Sequence, residues 1–276
     1  MLKWLVMEQK LNKKIFSTIA IIVFLAAIGL IFFVGKAKKQ NRTEESQAAF
    51  AEERPEDHPK NAISKIAWIT DIHADKKNKR EEGDNIIYPN KYKECLEQVL
   101  GLGTDLVIAT GDNTNNGGAE YYNDMKAIVG GRKFLWVKGN HDSDDFKILS
   151  DKNYYSSDYD NLRVIVLDTA EQFGSSTGYL DDAQLNFLRD SLGTDKQVVI
   201  AMHHPPFFYN SREDIYTRDK EPLFENFFNA LTPNVKYVLT GHWHYDIGAE
   251  IGGVQFLTAN ALTQDGECNY KIIGLQ

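Results

Sequence analysis

Short apolar runs punctuate the chain at intervals that suit β-strands. They occupy 63–69 (ISKIAWI), 105–109 (DLVIA), 133–137 (KFLWV), 162–167 (LRVIVL), 197–202 (QVVIAM), 235–239 (VKYVL), 254–258 (VQFLT) and 270–275 (YKIIGL). Each is about as long as a strand buried on both faces. Helical spacing lies between several of them. Tyr92, Cys95, Leu96, Val99 and Leu100 recur at i, i+3, i+4, i+7 and i+8, which predicts a buried stripe on a helix near 90–102. Asp181, with Gln184 three residues on, predicts an N-cap for a helix through Leu192 whose apolar face is Leu185, Leu188 and Leu192. Residues 222–231 predict a third helix. Strands alternating with helices predict an α/β or α+β layered domain over residues 62–276.

The N-terminal pattern is different. Ile15 to Val34 carries no charged side chain, and Ser17 and Thr18 are its only polar ones. Twenty such residues in a helix match the ~30 Å hydrocarbon core of a bilayer. We therefore expect a basic N-terminal tail (1–14), a single transmembrane helix (15–35) and a polar linker (36–61) broken by Pro55 and Pro59. The apolar stretch is longer than a signal-peptide core and is followed by a weak cleavage site, which favours an uncleaved anchor. The short leading tail favours a single-pass membrane protein with its large domain on the extracytoplasmic side.

Charge sharpens the division. Residues 1–42 hold eight basic residues against Glu8 alone, leaving -15 for the remainder of a chain whose total is -8. A domain this acidic repels a phosphate backbone, so nucleic acid is an unlikely partner. Two cysteines exclude a disulfide-built scaffold and a four-cysteine zinc module. Cys95 reads as a small core residue in its apolar stripe and Cys268 as a loop residue. A bond between them is open, with nothing in the spacing to argue for it.

Six of the seven histidines fall in four short clusters, each directly after a strand-like run: Asp71-Ile72-His73, Asn140-His141-Asp142, His203-His204 and His242-Trp243-His244. A fifth polar cluster, Gly111-Asp112-Asn113, follows the run at 105–109. Strands that end together bring distant residues to one edge, where ligands bind in open α/β sheets. Any one cluster alone reads as an ordinary turn. All five together predict a cleft of imidazole, carboxylate and amide donors without thiolate, a set that suits Zn, Mn or Fe. The donors are too many for one tetrahedral ion and sufficient for two divalent ions sharing a carboxylate.

In this order, DIH, GDNT, GNHD, MHHPP and GHWH resemble the motifs of the calcineurin-like metallophosphoesterase superfamily, and the resemblance covers about residues 63–262. The closer likeness is to its bacterial phosphodiesterase and phosphatase branch. It implies a four-layer sandwich of two mixed β-sheets flanked by helices. It implies a binuclear metal-dependent phosphoesterase, cleaving phosphodiester or phosphomonoester bonds with a metal-bridging hydroxide. Asp71, His73 and His244 would hold one ion, and Asn140, His203 and His242 the other. Asp112 would bridge them. His141 would face the scissile phosphate as general acid, oriented by Asp142, and His204 would be the non-ligating member of its pair. Purple acid phosphatases carry a ligating tyrosine where this chain has Asn115, so a purple iron-tyrosinate site is not expected.

The expected substrate is a small-molecule or lipid-linked phosphoester. Residues 74–90 and 207–220 border the motifs, and Lys76, Lys77, Arg212 and Arg218 there either meet a second charged group of the substrate or are simply solvated. A non-catalytic metal-binding or receptor domain on the same scaffold would have lost a ligand or His141, and none is missing. A nuclease of the same superfamily conflicts with the acidic domain and the membrane segment.

Overall fold

The computed structural model describes residues 61–82, 85–170, 176, 178–206 and 223–275. The expected tail, anchor and nearly all of the linker lie outside them, as do Arg212 and Arg218. Among the described residues no helix is long and apolar enough to cross a membrane.

Among the described residues twelve strands form two main sheets and a hairpin. The first sheet runs β12–β1–β4–β5, from β1 (Lys65–Ile69), β4 (Leu106–Ala109), β5 (Phe134–Trp136) and β12 (Lys271–Gly274). β1, β4 and β5 are parallel, and β12 closes the edge antiparallel to β1. The second sheet runs β10–β11–β9–β8–β7–β6, from β6 (Tyr155–Asp158), β7 (Leu162–Val166), β8 (Gln197–Ala201), β9 (Val235–Thr240), β10 (Ile247–Ile251) and β11 (Val254–Thr258). Its four central strands are parallel and its two edge strands antiparallel. β2 (Arg80–Glu82) and β3 (Asn85–Ile87) make the separate hairpin.

Side-chain alternation explains the layering. Ile66 and Trp68, Leu106 and Ile108, Val164 and Val166, and Val199 and Ala201 share one core between the sheets. Their neighbours point the other way. Ala67, Ile69, Val107 and Ala109 pack beneath α1 (Tyr92–Leu100) and α2 (Ala119–Val129), against Leu96, Val99, Tyr122 and Met125. Ile165, Val198 and Ile200 pack against Leu185 and Leu188 of α3 (Asp182–Ser191) and Phe227 of α4 (Leu223–Ala230). Strands buried on both faces read as unbroken apolar runs, which is why the central strands β1, β4, β7 and β8 are visible in the sequence. The result is a mixed α/β fold with helices flanking paired sheets. The cap of α3 forms as expected, Asp181 accepting from the Gln184 N–H at 2.8 Å.

Cys95 and Cys268 are bonded to each other, across 173 residues. The reading of Cys95 as a simple core residue is corrected: it is fully buried in α1, but its partner arrives from the loop before β12.

Asp105 fixes the start of the first sheet. Its carboxylate accepts from the Ser64 N–H at 2.8 Å, the Ser64 hydroxyl at 2.7 Å and the Lys65 N–H at 2.8 Å. Burial alone would raise its pKa, but these donors hold it below the ordinary value. A depressed folded pKa contributes stability that is present at neutral pH and lost as pH falls through it. Asp105→Ala is expected to cost about 1 kcal/mol at pH 7, and less below pH 4, as measured by urea unfolding at both pH values.

Candidate metal centre

The five polar clusters leave the C-terminal ends of β1, β4, β5, β8 and β9 and meet between the two sheets. Beyond β1 the chain pairs alongside the loop after β4: Asp71 N–H donates to the Gly111 carbonyl at 3.0 Å, His73 N–H to that of Asp112 at 2.8 Å, and Ala74 N–H to that of Asn113 at 3.0 Å. The second sheet joins through His242 N–H, which donates to Asp71 Oδ2 at 3.0 Å.

The backbone is strained where the chemistry lies. Six described non-glycine residues have positive φ, and five of them are Asp71 (50°), His73 (48°), Asp112 (50°), His242 (70°) and His244 (54°). Left-handed backbone is costly for such residues and persists where the surroundings enforce it, typically at functional sites. The motif glycines admit this crowding. A Cβ on Gly139 would lie 2.0 Å from the Asp112 nitrogen, and one on Gly241 1.9 Å from Thr70 Oγ1.

Three groups of donor atoms converge, each within 4.8 Å: Asp71, His73 and His244; Asp71, Asp112 and His203; and His203, His204 and His242. His73 Nε2 and His244 Nε2 are 3.1 Å apart, and His244 Nε2 is 3.1 Å from Asp71 Oδ1. His203 Nε2 is 3.3 Å from Asp112 Oδ2 and 3.0 Å from Asn140 Oδ1. His203 donates its Nδ1–H to the Thr110 carbonyl at 2.8 Å, so Nε2 is the atom left to hold an ion when one is bound. Every residue expected at the centre is therefore brought to one place. His204 also reaches it, with Nδ1 on the Thr169 hydroxyl at 2.9 Å.

The donor set fits a bound cation. Asp71 and Asp112 are almost wholly buried, and their described ion-pair partners are all histidines. Burial opposes both charges, yet His244 holds the Asp71 pKa down and His203 does so for Asp112. In return Asp112 overcomes the burial of His203 and raises its pKa to about 9. His73 goes the other way, burial outweighing Asp112. Two buried carboxylates surrounded by imidazoles demand positive charge at their centre.

His141 and Asp142 occupy distinct positions. The His141 ring stands edge-on to His73 at 5.1 Å, and its backbone N–H donates to Asp112 Oδ1 at 2.8 Å. The expectation that Asp142 orients His141 is corrected. The His141 Nδ1–H donates to the Asn115 carbonyl at 2.9 Å. Asp142 instead braces the two motif loops, accepting from the N–H groups of Asn113, Thr114 and Gly139, from Asn113 Nδ2 and from the Tyr122 hydroxyl. Burial and the neighbouring Asp112 charge push its pKa up to about 6 against those donors.

Sequence reasoning passed over Arg80, whose Nη1 lies 2.9 Å from His73 Nδ1 and 2.6 Å from Asn115 Oδ1. It sits in the run KKNKREE, where the charge pattern signals only a solvated loop. Lys76 and Lys77, in the same stretch, are exposed.

Fold and donor groups together define a site able to hold metal at the ends of paired sheets. The calcineurin-like phosphoesterase family matches residues 64–246, and the chain belongs to that family. A probable cyclic nucleotide phosphodiesterase of Rhodococcus erythropolis is 28% identical over 213 residues, 69% of this chain and 69% of that protein. A cAMP/cGMP dual specificity phosphodiesterase of Mycobacterium tuberculosis is 30% identical over 210 residues, covering 66% of this chain and 65% of its own length. Among solved structures, a dimetal phosphatase from Danio rerio shares the fold with a TM-score of 0.61 at 14% identity, over 77% of this chain and 93% of that one.

Proposed function

We propose that this chain is a membrane-anchored phosphodiesterase with two divalent ions, acting on 3′,5′-cyclic nucleotides. The observation that carries the reading is the convergence of Asp71, His73, Asp112, His203 and His244 from separate strand ends onto donor groups within 4.8 Å. In this reading Asp71, His73 and His244 hold one ion, Asn140, His203 and His242 the other, and Asp112 serves both. Mn, Fe and Zn all suit these donors. When bound, such ions lower the pKa of water towards ~7 and offset charge on the phosphoryl oxygens. The P–O bond to the leaving oxygen breaks as the bond from water to phosphorus forms. His141 donates Nδ1–H to the Asn115 carbonyl, so the ring would give the leaving oxygen its proton from Nε2 in the doubly protonated form, and the proton released by the attacking water balances the one delivered. Asp142 keeps the loops of Asp112 and His141 in register.

The substrate class rests on the names of the two bacterial relatives. The topology rests on the sequence and on the disulfide. Residues 15–35 form the anchor, 1–14 the inner tail and 36–61 the tether, with 62–276 outside. Disulfides persist in such oxidising compartments and are rare in the cytosol.

The test is hydrolysis by the full chain in detergent, offered cAMP, bis-p-nitrophenyl phosphate or p-nitrophenyl phosphate with Mn²⁺. Turnover of the diesters, abolished by chelator and by Asp112→Ala, is the expected result. Turnover of the monoester alone would overturn the diesterase reading, and none with any metal would overturn the enzyme reading at this site.

A further inference from the structure

The geometry points to Arg80 as a residue that weakens metal binding in the Asp71–His73–His244 pocket, because its guanidinium occupies the outer nitrogen of His73. The inference rests on the metal-centre reading above and deepens it.

A histidine that ligates through Nε2 needs its lone pair there. The neutral ring then carries its proton on Nδ1, and that N–H is ordinarily donated to a carbonyl or carboxylate. His203 follows this rule through the Thr110 carbonyl. His73 breaks it. Its Nδ1 faces Arg80 Nη1 at 2.9 Å, and a guanidinium can only donate. The contact therefore requires the lone pair on Nδ1 and places the ring proton on Nε2. That is the atom 3.1 Å from His244 Nε2 and 3.8 Å from Asp112 Oδ2, where an ion would have to be held. A second effect adds to the first: a fixed positive charge beside the ligand repels a divalent cation.

Arg80 is also held in place. The same Nη1 donates to Asn115 Oδ1 at 2.6 Å, and Asn115 Nδ2 donates to Asp75 Oδ2 at 2.9 Å. Asp75 is buried and accepts from the Lys77 N–H at 3.3 Å. An ion entering this pocket must displace Arg80 from His73 against that clamp. On the other side the His203 ring is braced by the Thr110 carbonyl instead. The two ions are thus held unequally, and the Asp71 side is the weaker.

The experiment is a Mn²⁺ titration of the chelator-stripped full chain, followed by electron paramagnetic resonance of free Mn²⁺. Wild type, Arg80→Gln, Arg80→Met and His73→Ala are compared, with circular dichroism to establish folding. Both Arg80 variants are expected to bind one of two ions about tenfold or more tightly than wild type, within the ~10–100-fold range over which such outer partners act. The tightening should vanish when either is combined with His73→Ala. Unchanged or weaker binding in the folded Arg80 variants overturns the inference, as does tightening that survives His73→Ala. If His73→Ala alone removes no ion, the metal-centre reading itself fails, a separate outcome.

Discussion

Replacing His141 with alanine should lower kcat by about 10²–10⁴, the usual contribution of a positioned general acid, while both ions stay bound. The substitution is clean because the residue does two separable jobs. Its backbone N–H holds Asp112 Oδ1 at 2.8 Å, and alanine keeps that bond. Its ring sits half-buried with Nδ1 on the Asn115 carbonyl and stands edge-on to His73, and alanine removes those two contacts. The loss should depend on the leaving group. A p-nitrophenolate departs readily without a proton, so bis-p-nitrophenyl phosphate should suffer least. A ribose hydroxyl departs as a poor alkoxide, so cAMP should suffer most. Steady-state kinetics on both, beside metal analysis of the purified variant, check this. Equal losses on the two substrates, or loss of metal with loss of rate, would remove His141 from the proton-donor role.

Most of the strands legible in the sequence are buried on both faces. β1, β4, β7, β8 and β9 read as continuous apolar runs because each has one row of side chains between the sheets and another under helices. What escaped was half-exposed. β6 (YSSD) and β10 (IGAEI) are edge strands of the second sheet with one face open, so neither has enough apolar residues to register. α2 begins at Gly118 with no side-chain cap, and its Tyr122, Met125 and Val129 are spaced too sparsely to announce a stripe. The β2–β3 hairpin hides in a charged run. The site divides similarly. Donor residues were legible because their types are unusual at strand ends. Their partners were not, since Asn115 acts through its backbone carbonyl and Thr110 likewise. Asp142 was misassigned because adjacency in sequence to His141 suggested adjacency in role, while the tight turn at Gly139 aims its carboxylate at the loop after β4 instead.

The second large effect is expected from the Cys95–Cys268 bond. Its closure spans 173 residues, most of the folded part, so breaking it restores much freedom to the unfolded chain. The chain-entropy account gives about 5 kcal/mol for a loop of this length, and removing native disulfides typically costs about 2–5 kcal/mol. At roughly 2–4 °C per kcal/mol for a domain of this size, melting should fall by roughly 4–20 °C. The double substitution Cys95→Ala, Cys268→Ala isolates the cross-link, because alanine keeps the small apolar volume that Cys95 presents to Leu96 and Val99. Calorimetry with and without thiol reductant should show the wild type falling to the level of the variant and the variant unmoved. The site should feel the change before the core does. Asn269 N–H, next to Cys268, donates to the Leu262 carbonyl at 2.7 Å, and Leu262 N–H donates to the Thr70 carbonyl at 2.9 Å, one residue before Asp71. A loosened loop therefore reaches the first metal pocket through two hydrogen bonds, so reduction should weaken Mn²⁺ binding at temperatures well below the melting point. If wild type melts at the same temperature with and without reductant, the bond does not stabilise the domain, and its support for an oxidising compartment falls with it.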